Sequence, residues 1–395
     1  MLLPTALATV TFAGPAAHAA AATCDGQPAT VTATATSDVL TGTDGPDVIV
    51  NDGFADVEIN ALGGNDVICT HGYSTVNAGD GDDHIITGTS PVDESIYVRP
   101  GAGDDVIDGT RSVYLGYSDS TPGSPDDGPP VTIDVPAGTV DGWGHDRFTG
   151  AISMFGGTGT GDTFIGSDAD ELFSAAFGTG RSRVRMGGGD DEANIAYGTV
   201  WAGPGSDAVR VGNGTVHGGP GDDELLSYNG GTLEGGPGDD EVRGYFLRMA
   251  VDTRAQAGTF RLAGGRGADD IFPPTIWRPE IPTCGQVEVC RVEVAGGPGV
   301  DLLNLALLRG GGARVDLAHH TLEHARVRGA VTGVQNVAGT WRADRIYGDA
   351  DNNLLRGELW TTSGRRDVLV GRGGRDTLIG GRGRDECRGE VRRSC

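Results

Sequence analysis

A glycine-rich turn that ends in aspartate recurs through almost the whole chain and constrains its fold more than any other feature. The unit is clearest at Gly218-Gly-Pro-Gly-Asp-Asp-Glu-Leu225 and Gly235-Gly-Pro-Gly-Asp-Asp-Glu-Val242. Looser copies end at Asp66, Asp83, Asp105, Asp191, Asp207, Asp269 and Asp301, most with a large apolar residue two places later. Near the C-terminus Asp367, Asp376 and Asp385 follow one another at intervals of 9 residues. Self-similarity at a fixed short period is the mark of a stacked array, in which each unit buries its apolar face against the next.

The physics of the unit points the same way. Glycines at its first, second and fourth places permit positive φ and let neighbouring turns approach closely. The residues after the aspartate begin a short strand whose alternation sends the apolar residue inward. Asp191, Asp207, Asp223 and Asp240 are 16, 16 and 17 residues apart. That interval holds one acidic turn, one strand, a plain opposite turn such as Gly212-Asn-Gly-Thr, and a second strand. The expected fold is all-β, a right-handed parallel β-solenoid or β-roll. Acidic turns should line one edge over 191–240, and both edges from about Asp344 on. No segment sustains a 3.6-residue apolar period, so no helix of consequence is expected.

This unit resembles the RTX, or haemolysin-type, calcium-binding repeat, written GGxGxDxUx with U a large apolar residue. The resemblance covers nearly the whole mature chain. It implies several Ca²⁺ ions held between stacked turns, with the repeat aspartates as ligands: Asp66, Asp83, Asp105, Asp191, Asp207, Asp223, Asp240, Asp269, Asp301, Asp344, Asp367, Asp376 and Asp385. Carboxylates and turn carbonyls are the hard oxygen donors that Ca²⁺ prefers. Arg365, Arg366, Arg372, Arg375, Arg382 and Arg384 sit beside the last aspartates. They should weaken Ca²⁺ there, and the alternative is a basic patch for a cell-wall or other extracellular polymer.

Composition narrows the function classes. Fifty-five acidic against 30 basic side chains, all of the latter arginine, leave a net charge of −25. Such a balance argues against nucleic acid and against anionic membrane surfaces as partners. No stretch beyond the N-terminus is long and apolar enough to span a membrane. Residues 1–22 read as a Sec-type signal peptide with A-x-A spacing at Ala17-His18-Ala19 or Ala20-Ala21-Ala22, which implies an extracellular protein. Six cysteines in an exported chain suggest disulfides, and their clustering favours 24–69, 284–290 and 387–395.

The expected organisation is a repeat block over 23–118, a Pro/Gly loop over 119–130, a central solenoid over 131–272, an inserted Pro/Cys loop over 273–290, and a C-terminal roll over 291–395. A longer duplication spans the junctions: Val131-Thr-Ile-Asp134 matches Ala313-Arg-Val-Asp316, and in both copies an aspartate follows 28 residues later, at Asp162 and Asp344. The histidines at His319, His320 and His324 fall on this block, where a surface turn is expected in place of a metal site. No nucleophile elbow, phosphate loop or paired-carboxylate motif is legible. The favoured function is therefore a secreted calcium-binding solenoid, folded by its ions, in a structural or adhesive role. The alternative is a polysaccharide lyase or epimerase built on the solenoid itself.

Overall fold

The computed structural model describes residues 22–34, 38–53, 56–88, 96–110, 113–117, 128–176, 178–246, 259–276, 290–325, 327–359 and 365–395. Residues 1–21, where a signal peptide is expected, most of the 119–130 loop and most of the 273–290 insertion lie outside them. Among the described residues there is no helix, and short strands succeed one another along the chain.

Most strands pair in parallel with the strand one coil further on, so two faces grow side by side. The first face starts with Val31–Thr32 and continues through Val48–Asp52, Val67–His71, His84–Thr87 and Val106–Gly109. The second holds Val57–Asn60, Ser74–Asp80, Ile96–Ala102 and Val113–Gly116. Register is in line: Ile59 lies opposite Val76, and Val76 opposite Val98. A chain whose strands hydrogen-bond only to the coils before and after it needs no lateral partner, which is how so glycine-rich a sequence closes its backbone ladder.

The inward positions form one continuous apolar column between the faces. Ile49, Ile68, Ile85, Ile107, Leu225, Ile271, Leu303, Leu369 and Leu378 are fully buried, each two places after a turn aspartate. In its middle the column is filled by a run of packed rings, Phe148, Phe155, Phe164 and Phe173, with successive centroids 5.4, 5.5 and 4.7 Å apart, the first two pairs tilted and the last stacked. The strand Asp270–Ile276 carries on through Pro273 and Pro274, so the central solenoid reaches four residues past the boundary expected at 272.

The duplicated blocks depart from pure parallel stacking. Thr132–Asp134 pairs in parallel with Thr163–Ile165, but reverses through a turn into Thr139–Asp141, which runs antiparallel to both it and His145–Gly150. The second copy repeats this arrangement. Arg314–Asp316 pairs in parallel with Arg345–Tyr347, and Thr321–Glu323 runs antiparallel between it and Val327–Thr332. Each reversal is closed by the same local bond: the Asp134 carboxylate accepts from Ala137 N at 3.0 Å, and Asp316 from His319 N at 3.1 Å. The blocks therefore splice one antiparallel strand into the first face at two places.

Two disulfides pair as the cysteine clustering suggests, Cys24–Cys69 and Cys387–Cys395. The first ties a small hairpin, Thr23–Cys24 with Gln27–Pro28, over the outer side of Val48 and Val50. The 284–290 pairing lies outside the described residues.

Candidate functional site: a buried carboxylate ladder

The turn aspartates stack into a ladder at the solenoid edge. Nearly all use one carboxylate oxygen in the same way: Oδ1 accepts the backbone N–H of the residue at the matching place one coil earlier, in most rungs another aspartate. The Asp207 N–H donates to Asp223 Oδ1 at 2.9 Å, and the Asp223 N–H to Asp240 Oδ1 at 3.0 Å. In the first block the series runs from Asp47 N through Asp66, Asp83 and Asp105 to Asp146. In the central block it runs from Glu171 N through Asp191, Asp207, Asp223, Asp240 and Asp269 to Asp301. In the last coils Asp344, Asp367 and Asp385 form one series and Asn353 with Asp376 another.

The ladder changes edge along the molecule. In the first block each acidic turn precedes a strand of the first face, such as Val67–His71. The second face continues from Val113–Gly116 through Met154–Gly156 and Leu172–Ala175 to residues 192–195. Glu171 and Asp191 precede strands of this second face, so from there to Asp301 the ladder occupies the opposite edge. The last coils carry it on both edges, since Asp344, Asp367 and Asp385 lead into first-face strands while Asn353 and Asp376 lead into second-face strands. One acidic edge over 191–240 and two at the end agree with the spacing of the repeats; the crossing between Asp162 and Glu171, one half-coil apart, has no mark in that spacing.

A second, outer ladder runs beside the first in the opposite sense. Asp82 Oδ1 accepts from Asp104 N, Asp190 Oδ1 from Ser206 N, and Asp222 Oδ1 from Asp239 N, each carboxylate now reaching forward to the next coil. These outer residues are exposed, whereas the inner aspartates are buried, apart from the half-buried Asp385.

The second oxygen of the inner carboxylates is where the ladder is incomplete. Among the described residues, Oδ2 of Asp66, Asp83, Asp105, Asp191, Asp207, Asp223, Asp240, Asp269, Asp301, Asp367, Asp376 and Asp385 is buried with no hydrogen-bond donor. A buried carboxylate oxygen without a donor is expensive, and the charge is more so unless a cation compensates it. The consequence shows in proton affinity. Burial, reinforced by neighbouring ladder carboxylates, pushes Asp83 up to about 7, Asp105 to about 8 and Asp223 to about 7, against an ordinary value of 3.8. Burial likewise raises Asp191 and Asp367 to about 7 and Asp66, Asp207, Asp240 and Asp301 to about 6. Asp269 and Asp376 are raised by the same cause.

The donors around those oxygens are of the right chemistry for a hard cation. A Cβ placed on Gly218 would lie 2.2 Å from Asp223 Oδ2 and 2.6 Å from the carbonyl oxygen of Gly235, so glycine keeps a carboxylate and a carbonyl of the next coil converging on one spot. Gly235 stands in the same relation to Asp240 Oδ2 and Gly264 O. At the second place Gly219 meets a different constraint: its φ is 123°, and a Cβ on it would meet Gly203 O at 2.1 Å. Among the described residues no group of three or more His, Cys, Asp or Glu side chains is placed to hold a metal. A cation at these turns would therefore be held by one or two aspartates with backbone carbonyls completing the shell, an all-oxygen set of the kind Ca²⁺ takes.

Every predicted ligand lies in the ladder, and Asp47, Asp146, Asp162 and Glu171 join it although the glycine pattern does not single them out. Their signal in the sequence was the apolar residue two places on, at Ile49, Phe148, Phe164 and Phe173. The histidines of the second block do not assemble: His319 lies 3.0 Å from Asp316 at the hairpin tip, and His324 is buried. Of the C-terminal arginines, Arg372 turns away from the ladder and grips Asp316 with both guanidinium nitrogens, at 2.7 and 2.8 Å, holding that carboxyl well below its ordinary range. Arg366 reaches Glu386. No helix among the described residues is long and apolar enough to cross a membrane. No protein-family model and no curated protein matches the chain.

Proposed function

We propose that the chain is an extracellular calcium-binding β-solenoid of the RTX type, in which Ca²⁺ bound at the stacked glycine turns completes folding and the rigid array serves a structural or adhesive role. The observation that carries this reading is the series of buried Asp Oδ2 atoms without donors. A ladder of desolvated carboxylates favours whatever cation reaches it, and glycine and proline carbonyls supply oxygens beside it. A proton competes for the same oxygens. Calcium binding near pH 7 should thus displace protons from carboxylates such as Asp83 and Asp223. The disulfides Cys24–Cys69 and Cys387–Cys395 suit an oxidising compartment, where calcium is also plentiful.

The test is a calorimetric titration of the EDTA-stripped chain with Ca²⁺ near pH 7 in two buffers of different ionisation heat, followed by far-ultraviolet circular dichroism. The expected result is multi-site binding with proton release and a gain of β signal at millimolar calcium. No heat in either buffer and unchanged spectra would overturn the proposal.

A further inference from the structure

The ladder contains two kinds of turn, distinguished by the residue at the second place. Wherever the inner carboxylate lacks a donor on Oδ2 and that place is described, its residue has positive φ: Leu62 at 79°, Gly79 at 110°, Gly219 at 123°, Arg372 at 77°. In that conformation the N–H points along the stack; Gly219 N donates to Gly235 O at 2.9 Å and leaves its own aspartate unserved. Three turns carry threonine instead, without positive φ, and there the geometry inverts. Thr43 donates to Asp47 Oδ2 through both N, at 2.7 Å, and Oγ1, at 2.9 Å. Thr340 N donates to Asp344 Oδ2 at 2.8 Å, and its hydroxyl to Oδ1 at 3.0 Å. Thr158 Oγ1 and Gly159 N close both oxygens of Asp162, at 2.7 and 2.8 Å. Ser167 closes on Glu171 in the same way, and at Asn353 the acid is replaced by an amide served by Asp349 N.

These closed turns are not scattered. The open run Asp66 to Asp105 lies between Asp47 and Asp146, whose Oδ2 accepts the buried Tyr117 hydroxyl at 2.7 Å. The open run Asp191 to Asp301 lies between Glu171 and the neutral Gln335, which accepts Asp301 N at 2.7 Å. The open carboxylates Asp367, Asp376 and Asp385 follow Asp344 and Asn353.

We propose that only the open turns take cations, and that the closed turns are cation-independent seeds which fold first and template the first open coil beside them. Asp344, one of the ligands expected from the repeat pattern, then belongs to the seeds. Its carboxyl is pushed up to about 7 by burial, yet both its oxygens are already occupied by Thr340 and by the N–H groups of Ala313 and Thr340. The assignment of cations to open turns rests on the calcium reading above; the seed role of the closed turns does not, because it is a property of the metal-free chain.

The full chain with Ca²⁺ alone as probe tests both parts. Asp223→Asn should bind fewer Ca²⁺ ions than the native chain, measured by equilibrium dialysis, whereas Thr340→Val should bind the same number. In EDTA at pH 8, Thr340→Val should lower the thermal midpoint by several degrees, since it removes a donor from a buried carboxylate. Hydrogen exchange on the native chain in EDTA should show protection persisting at 158–165 and 340–346 and lost at 203–225. Loss of calcium in Thr340→Val equal to that in Asp223→Asn, or protection that is uniform or uniformly absent, would overturn the proposal. A native chain that binds no calcium but shows the uneven protection pattern would defeat the calcium reading and leave the seeds standing.

Discussion

Removing divalent cations should make the stability of this protein fall as pH rises, opposite to the behaviour of a chain held by salt-bridged carboxylates. Consider three consecutive rungs, Asp207, Asp223 and Asp240, each about 2% exposed, with proton affinities raised from 3.8 to about 6, 7 and 6. Each pKa unit is worth about 1.4 kcal/mol, so the middle rung alone contributes about 4 kcal/mol and the three together on the order of 10 kcal/mol. In the unfolded chain these groups lose their protons near 3.8, while the folded ladder keeps them to between 6 and 7. Over that window the folded state binds more protons, so stability is fully present below about pH 4 and is lost as pH climbs through the folded values. A loss of that size rivals the whole stability of an ordinary domain, about 5–15 kcal/mol. The assay is thermal unfolding in EDTA followed by circular dichroism from pH 4.5 to 8.5. The midpoint should fall steeply from pH 4.5 to about 7 and level off above that, and millimolar Ca²⁺ should abolish or reverse the fall. A midpoint that stays flat or rises with pH in EDTA would refute the picture of a desolvated, donor-poor ladder.

Two further outcomes follow from the packing. Phe164→Ala removes a ring packed between Phe155 and Phe173 and should cost about 3–5 kcal/mol in urea unfolding with millimolar CaCl₂ present, the range for a large buried aromatic. Arg372→Met breaks the two-pronged grip on Asp316 and should cost about 1–3 kcal/mol at pH 7. Because that carboxyl is held low in the folded state, the difference between variant and native midpoints should be present above about pH 4 and shrink as pH falls further.

Much of this architecture was legible in one dimension. The interval of 16 or 17 residues between Asp191, Asp207, Asp223 and Asp240 gave the coil length, and the apolar residue two places after each aspartate gave the core column. What spacing could not convey was sidedness. Asp162 and Glu171 are separated by 9 residues, half a coil, and that one interval moves the ladder to the other edge; in the sequence it resembles a worn repeat. The duplicated blocks were visible as a match between 131–139 and 313–321. Their antiparallel reversal was hidden, because Pro136-Ala-Gly138 and Ala318-His-His320 are unlike each other and only the backbone bonds to Asp134 and Asp316 show the shared turn. Chemistry was the least legible level. Thr43, Thr158 and Thr340 look like mere deviations from glycine, yet replacing positive φ with a hydroxyl and a redirected N–H decides whether a buried carboxylate is satisfied.

The most direct test of the central claim is diffraction at a wavelength where calcium scatters anomalously, on crystals of the full chain grown with and without millimolar CaCl₂. Anomalous peaks are expected between consecutive glycine turns from Asp191 to Asp301, each beside an Asp Oδ2, and none at Asp47, Asp162 or Asp344. A calcium-soaked crystal with an intact solenoid and no peak along either edge would contradict that claim.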